Sequence, residues 1–399
     1  MKIINLIENL DDTYGGPAKS VPYMCKYLND IDVETEMLSI KYNENEHNSI
    51  VSKYKLHWQS FKYNLIQKLR YSKDLKNYLD ENISKENDMI LHTHNSWNYI
   101  PYVAYKMSLK HNVPLIMAIR SSLYEWSLSQ NKLQKQIAMV LFQKSALKYA
   151  TCIHITEPKE LNAVRNLGIK TPVALVPNGV EFDEFKNLKN KIDSKKSLKL
   201  DIDKKYILFI SRLHPKKGLE YLVTAWIKLA QIHTQWDLLI VGPEYDKQYI
   251  QEIKANIKNN DLKARVIFTG MLKDQNRVDA FGSSDLFVLP SHTENFGIAI
   301  AEAMVAKLPV ITTHGTPWQE IEKYDAGWWV ELSQGNIDNA LEKALLSGDE
   351  ELKQKGLNGF ELIQKYEWKY QAEKMKRLYK YILNSGEKPE FVYEIGDDV

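Results

Sequence analysis

Only two cysteines, Cys25 and Cys152, stand in the 399 residues. Thiols so few and so far apart exclude a disulfide framework and a cysteine-built metal centre, and read as two unremarkable thiols. Glycine (17) and proline (13) are too sparse for a low-complexity tract. No run of about 18 apolar residues occurs, so no membrane-spanning helix is expected. The opening Met1-Lys2-Ile3-Ile4-Asn5-Leu6-Ile7 is too short for a signal peptide. A cytoplasmic protein is expected, one that can still lie on the inner face of the cell membrane. A net charge of +2 gives no reason to expect a nucleic-acid partner.

The length suits two domains rather than one core. Charge is unevenly spread. Between Lys53 and Lys76 five further basic residues face a single acid, Asp74, with Trp58, Phe61, Tyr63, Leu65, Ile66 and Leu69 interleaved. This 53–76 segment is a candidate contact with an anionic membrane, or else a solvated helix face. A second basic stretch, Lys132 to Lys148, carries no acid.

Apolar runs alternate with helical patterns along the first half. Strands are expected at Lys2–Ile7, Val33–Ser39, Asp88–His92, Pro114–Ile119, Cys152–Ile155 and Val173–Val176. Helices are expected between them, among them Pro17–Leu28, Phe61–Asp80, Tyr99–His111 and Gln134–Tyr149. After Pro177-Asn178-Gly179-Val180 a polar, lysine-rich stretch reads as a linker, 181–204. The same alternation then restarts. The expected organisation is a Rossmann-like domain over 1–180, a second over 205–365, a helix over 366–385 returning to the first domain, and an acidic tail, 386–399. The fold class is therefore α/β, two doubly wound domains facing across a cleft, with ligands at the carboxyl ends of the strands.

Three segments carry chemistry. Ser291-His292-Thr293-Glu294-Asn295-Phe296-Gly297-Ile298-Ala299-Ile300-Ala301-Glu302 follows an apolar strand and opens a helix. Backbone N–H groups at such a helix start favour an anion, and Glu294 and Glu302 offer acceptors for vicinal hydroxyls on either side of it. Glu302 lies in a nearly all-apolar helix, where a charge needs a reason. Ser211-Arg212-Leu213-His214-Pro215-Lys216-Lys217-Gly218 also follows a strand. Arg212 and Lys217 would neutralise a departing diphosphate, with Lys216 a solvated neighbour. In the first domain Asp12-Thr13-Tyr14-Gly15-Gly16-Pro17 permits close backbone approach to a phosphate or sugar. Of His92 and His94, one is expected to face the cleft and one the interior. His94, farther past its strand, is favoured for the cleft.

Together, the Glu294–Glu302 spacing, the Arg212/Lys217 loop, the Pro177–Val180 segment and the Gly15-Gly16 turn resemble the GT-B glycosyltransferases of family GT4, glycosyl transferases group 1. The resemblance implies retention of anomeric configuration, no obligatory metal and a nucleoside-diphosphate-sugar donor, UDP favoured over GDP. It implies that Glu294 contacts the hexose, Glu302 the ribose, and Arg212, Lys217 and Gly16 the diphosphate. Gly15, Asn295, Phe296, Gly297, Ile298 and Met271 would line the nucleotide, and His94 matches the family's cleft histidine. Catalysis would rest on Glu294, His94, Arg212 and Lys217. Bacterial members build surface polysaccharide of O-antigen or capsule type, so the implied acceptor is a glycan or a polyprenyl-diphosphate-linked sugar. One departure stands out: Ser121 follows Arg120 where relatives often carry glycine. A sugar-nucleotide 2-epimerase and a non-catalytic partner in glycan assembly are the competing readings.

Overall fold

A computed structural model of the chain describes residues 1–12, 14–41, 45–63, 71–83, 88–94 and 96–397. It comprises two compact units, Met1–Gly179 with Trp368–Val399, and Val180–Glu367.

The first unit is built on strands β1 (Lys2–Ile7), β2 (Glu34–Lys41), β3 (Trp58–Lys62), β4 (Met89–Thr93), β5 (Leu115–Ala118), β6 (Cys152–Ile155) and β7 (Val173–Leu175). With β14 (Val392–Tyr393) they form one sheet in the order β14-β7-β6-β5-β4-β1-β2-β3. All pairs are parallel except β14 with β7. Near-continuous burial along β1, β2, β4, β5 and β6 is what a parallel sheet covered on both faces demands. Each leucine-sized side chain so buried contributes roughly 1.5–3 kcal/mol. Helix Tyr99–His111 begins where the Asn98 side chain accepts the Ile100 N–H at 3.0 Å and ends at Asn112 in the left-handed region.

Three expectations for this unit need correction. The helix expected over Phe61–Asp80 is instead strand β3 followed by a helix, Lys73–Asn82, which Ser72 caps. Residues 64–70 of that expectation lie outside the described residues. Only Phe61 of β3 is buried, so this edge strand lacks the apolar run that marks a central one. The 53–76 segment is therefore not one amphipathic helix. The stretch expected as an acidic tail is also partly in the fold, since Phe391 and Val392 are buried and β14 extends the sheet.

Helix Trp368–Ile382 belongs to this unit. Its buried face, Trp368, Ala372, Met375, Leu378, Tyr379 and Ile382, has helical spacing. Tyr23 stacks on Trp368 with ring centroids 6.5 Å apart. Gly179 lies so close to the Trp368 ring that a β-carbon there would overlap it.

The second unit contains β8 (Lys205–Ile210), β9 (Trp236–Val241), β10 (Val266–Gly270), β11 (Leu286–Leu289), β12 (Val310–Thr313) and β13 (Gly327–Val330). Their order is β10-β9-β8-β11-β12-β13, all parallel. Counted from β8 this is the doubly wound order 3-2-1-4-5-6, whose chain reverses direction across the sheet between β8 and β11. The stretch expected as a linker, 181–204, is part of this unit. Phe185 packs edge-on against Phe281 at 5.5 Å, and Lys191–Ser197 is a helix with Ser194 buried. The lysine-rich composition conceals that one phenylalanine and one buried helix face suffice to anchor it.

Candidate active site

The reversal point between β8 and β11 sets the second unit's site. Beyond β8 the chain makes a short turn, Pro215–Lys217, in which the His214 ring nitrogen accepts the Lys216 N–H at 3.0 Å. Gly218 follows at φ 68°, and a β-carbon there would overlap the Pro290 carbonyl oxygen at the end of β11. Only glycine allows the two strand ends to approach so closely. The His292 N–H donates to the Lys216 carbonyl at 2.9 Å, joining the two loops.

This junction places the Lys217 ammonium directly against the Glu294 carboxylate. The Ser291 hydroxyl donates to the same Glu294 oxygen at 2.8 Å, and the Glu294 N–H donates to Gly315, beyond β12, at 2.8 Å. Burial alone would raise the Glu294 pKa. Lys217, Ser291 and the charge of Lys216 outweigh it, so the net shift is downward and the group is held as a carboxylate. Lys216, expected to be solvated, is half-buried, and that burial lowers its pKa.

The other second-unit residues divide clearly. Arg212 is exposed, its guanidinium 5.6 Å over the Tyr245 ring. Gly297 caps helix Ile298–Val305 at φ 76°, and the first N–H groups of such a helix have no intrahelical acceptor. Phe296 is a core anchor, packed against Trp318 and Tyr366, with its carbonyl accepting from the Trp318 indole. Asn295 precedes it in the same turn, and Met271 is exposed just past β10. Glu302 is buried and has its counter-charge: Arg277, on helix Asp274–Gly282, forms an ion pair with it and also lies 3.3 Å from Glu184. Sequence reading missed Arg277 because 25 residues and strand β11 separate the partners, and no local pattern marks such a contact.

In the first unit the equivalent reversal lies between β1 and β4. Gly15 adopts φ 113° and caps the helix Gly16–Asn29, whereas a β-carbon on Gly16 would meet nothing. Thr13 of the Asp12–Pro17 motif lies outside the described residues.

The histidine expectation fails on geometry. Residues two apart on a strand share a face, and the rings of His92 and His94 lie 4.2 Å apart, both buried. His94 is 2% exposed, its Nε2 3.0 Å from the Asn5 side-chain oxygen and its Nδ1 accepting from Arg120 at 3.1 Å. His92 accepts from the Tyr379 hydroxyl at 3.0 Å and meets His154 at 3.2 Å. Burial drives the pKa of all three down, to about 3 for His154, so they are neutral. Arg120 also donates to Ser20 and Asn178, and its own pKa falls to about 10 on burial. Arg120 and Ser121 hold φ of 45° and 58°, so this turn is left-handed, a conformation that favours glycine. Glu160 clamps this turn by accepting the Ser121 N–H and, at 2.7 Å, that of Thr156.

Beside the turn, burial pushes the Glu157 carboxyl up to about 7, and the Tyr124 hydroxyl donates to it at 2.5 Å. The folded state thus keeps a proton that the unfolded chain releases near the usual carboxylate value. The stability this adds is complete below that value and is lost as pH rises through about 7. Glu157→Gln is expected to remove the dependence. Relative to that variant, wild type should lose about 3 kcal/mol between pH 5 and 8 in denaturant titrations. Parallel curves would refute the burial argument.

These strand-end loops pair a lysine with a carboxylate beside a helix start, at the sheet reversal where doubly wound folds bind their ligands. Residues 190–361 match the family described as Glycosyl transferases group 1. The fold is GT-B. Sucrose-phosphate synthase from Thermosynechococcus elongatus superposes with a TM-score of 0.79 at 22% identity, covering 97% of this chain and 100% of that one. An uncharacterized glycosyltransferase of Methanocaldococcus jannaschii is 32% identical over 46% of this chain and 47% of its own length. The chain spans about half, or less, of several curated relatives it matches. The Escherichia coli UDP-Gal:alpha-D-GlcNAc-diphosphoundecaprenol alpha-1,3-galactosyltransferase is 26% identical over 79% of this chain and 81% of its own.

Proposed function

We propose that the protein is a retaining glycosyltransferase. By this reading it moves a hexose-type sugar from a UDP-sugar to a glycan or polyprenyl-diphosphate-linked acceptor in surface-polysaccharide synthesis. The observation that carries this is the Lys217–Glu294 pair at the β8/β11 reversal, buttressed by Ser291 and Gly315. The name of the E. coli relative, which joins a UDP-sugar to a diphosphoundecaprenol acceptor, supports the choice of donor and acceptor class.

In the proposed reaction the bond between the anomeric carbon and the β-phosphate oxygen breaks. Arg212, Lys217 and the N–H groups heading helix Ile298–Val305 stabilise the departing diphosphate. The acceptor hydroxyl attacks on the face the diphosphate leaves and passes its proton to a phosphate oxygen. Glu294, held ionised, accepts hydrogen bonds from the hexose hydroxyls, and Glu302 from the ribose. The ring nitrogens of His94 already face Asn5 and Arg120, so His94 serves to hold Arg120 rather than to meet the sugar.

The test is protection against thermal unfolding by UDP, GDP and their sugars, followed by product analysis. A nucleotide at 100 times its Kd should stabilise the chain by about 2.7 kcal/mol. UDP protection with release of UDP and a new glycoside is the expected result. Protection by GDP alone would reassign the base, and an epimerised nucleotide would replace transferase with isomerase.

A further inference from the structure

The three most exposed large apolar side chains among the described residues of the first unit, Val140, Leu141 and Leu133, sit together on one helical stretch. Residues 132–149 run as a helix, Lys132–Ala138, then a wider π-helical turn, Met139–Gln143, then Lys144–Tyr149. Its inner side is buried through Ala138, Gln143, Ala146 and Leu147. Its outer side carries Leu133, Ile137, Val140 and Leu141 at 70%, 51%, 81% and 74% exposure. Their spacing, i, i+4, i+7 and i+8, is one helical stripe. The stripe continues into exposed Lys144 and Lys148. On the neighbouring helix, Tyr102 packs edge-on against Phe142 at 5.7 Å, and the Lys106 ammonium lies over the Tyr102 ring at 5.8 Å.

Isolated exposed apolar residues are ordinary, but a continuous stripe of four on one face is not. The charge around it selects the occupant. No acid occurs between Glu125 and Glu157, while Lys132, Lys135, Lys144 and Lys148 all fall inside that interval. An apolar stripe on a segment whose only charges are positive matches an acyl-chain boundary beneath anionic headgroups. No helix of the described residues is long and apolar enough to cross a membrane, so the mode would be surface insertion.

We propose that helix 132–149 docks the first unit onto an anionic lipid bilayer, with Leu133, Ile137, Val140 and Leu141 entering the headgroup boundary and Lys144 and Lys148 meeting lipid phosphates. This places the membrane contact on a different element from the 53–76 segment. It does not depend on the donor-site reading, because its assay needs no catalysis.

The test uses the full chain with two vesicle compositions, phosphatidylcholine alone and phosphatidylcholine with one-third phosphatidylglycerol, in flotation at low and high salt. Wild type should float with the anionic vesicles and much less with the neutral ones. The pair Val140→Glu with Leu141→Glu should weaken partitioning by at least about tenfold at either salt. The pair Lys144→Glu with Lys148→Glu should weaken it mainly at low salt, where charges are least screened. All four positions are exposed, and matching melting curves will check folding. Leu346→Glu, an exposed leucine in the second unit, should float as wild type does. Undiminished flotation of the Val140/Leu141 variant overturns the proposal. So does a wild-type dimer in sedimentation equilibrium that this variant splits, which would make the stripe a contact between two copies.

Discussion

Lys217→Ala should lower kcat/KM by roughly 10²–10³, the cost of removing one preorganised charge from a developing anion. The loss has two sources in the geometry. The ammonium that neutralises the departing diphosphate is gone, and Glu294 loses the partner that holds its pKa down against burial. Its carboxyl then shifts toward the protonated form and becomes a poorer acceptor for sugar hydroxyls. Lys217→Arg keeps the charge and should retain more activity, although a planar fork replaces a point charge. Glu294→Gln should reduce transfer while leaving UDP protection largely intact, since the diphosphate contacts remain. Steady-state rates with a UDP-sugar panel, together with melting temperatures, separate these outcomes. A folded Lys217→Ala protein with wild-type kcat/KM would remove Lys217 from the site.

How far this site could be read from sequence depends on how local each contact is. The Arg212–Gly218 and Ser291–Glu302 loops announce themselves, because each follows an apolar run and carries glycine and charge at a strand end. Their convergence follows from the doubly wound order, which sets β8 beside β11. Gly218 shows why the glycine is needed: the Pro290 carbonyl occupies the space a side chain would fill. Elements held by few buried residues were not legible. Strand β3 buries only Phe61, and β14 is two residues long. Strand geometry alone puts the His92 and His94 rings on one face, since residues two apart share a side. The network they enter could not have been read, because Tyr379 lies 287 residues from His92 in sequence.

Glu302 shows the limit most sharply. A carboxylate in an apolar helix demands a reason, and sequence reading supplied a ribose. The structure supplies Arg277, so the charge is compensated within the protein whether or not a nucleotide is bound. Arg277→Ala should therefore cost about 3–5 kcal/mol, the usual penalty for leaving a buried ion unpaired. For a unit of this size that corresponds to roughly 6–20 °C in melting temperature. The paired change Arg277→Met with Glu302→Leu replaces both ions with apolar side chains of similar bulk and should recover most of the loss. Nucleotide protection measured on that stable pair then divides the two roles. If Glu302 also accepts from the ribose, UDP should protect the pair at least about tenfold more weakly, the loss of a hydrogen bond to a charged group. If UDP protects it as well as wild type, Glu302 serves the fold alone and the ribose contact must be sought elsewhere.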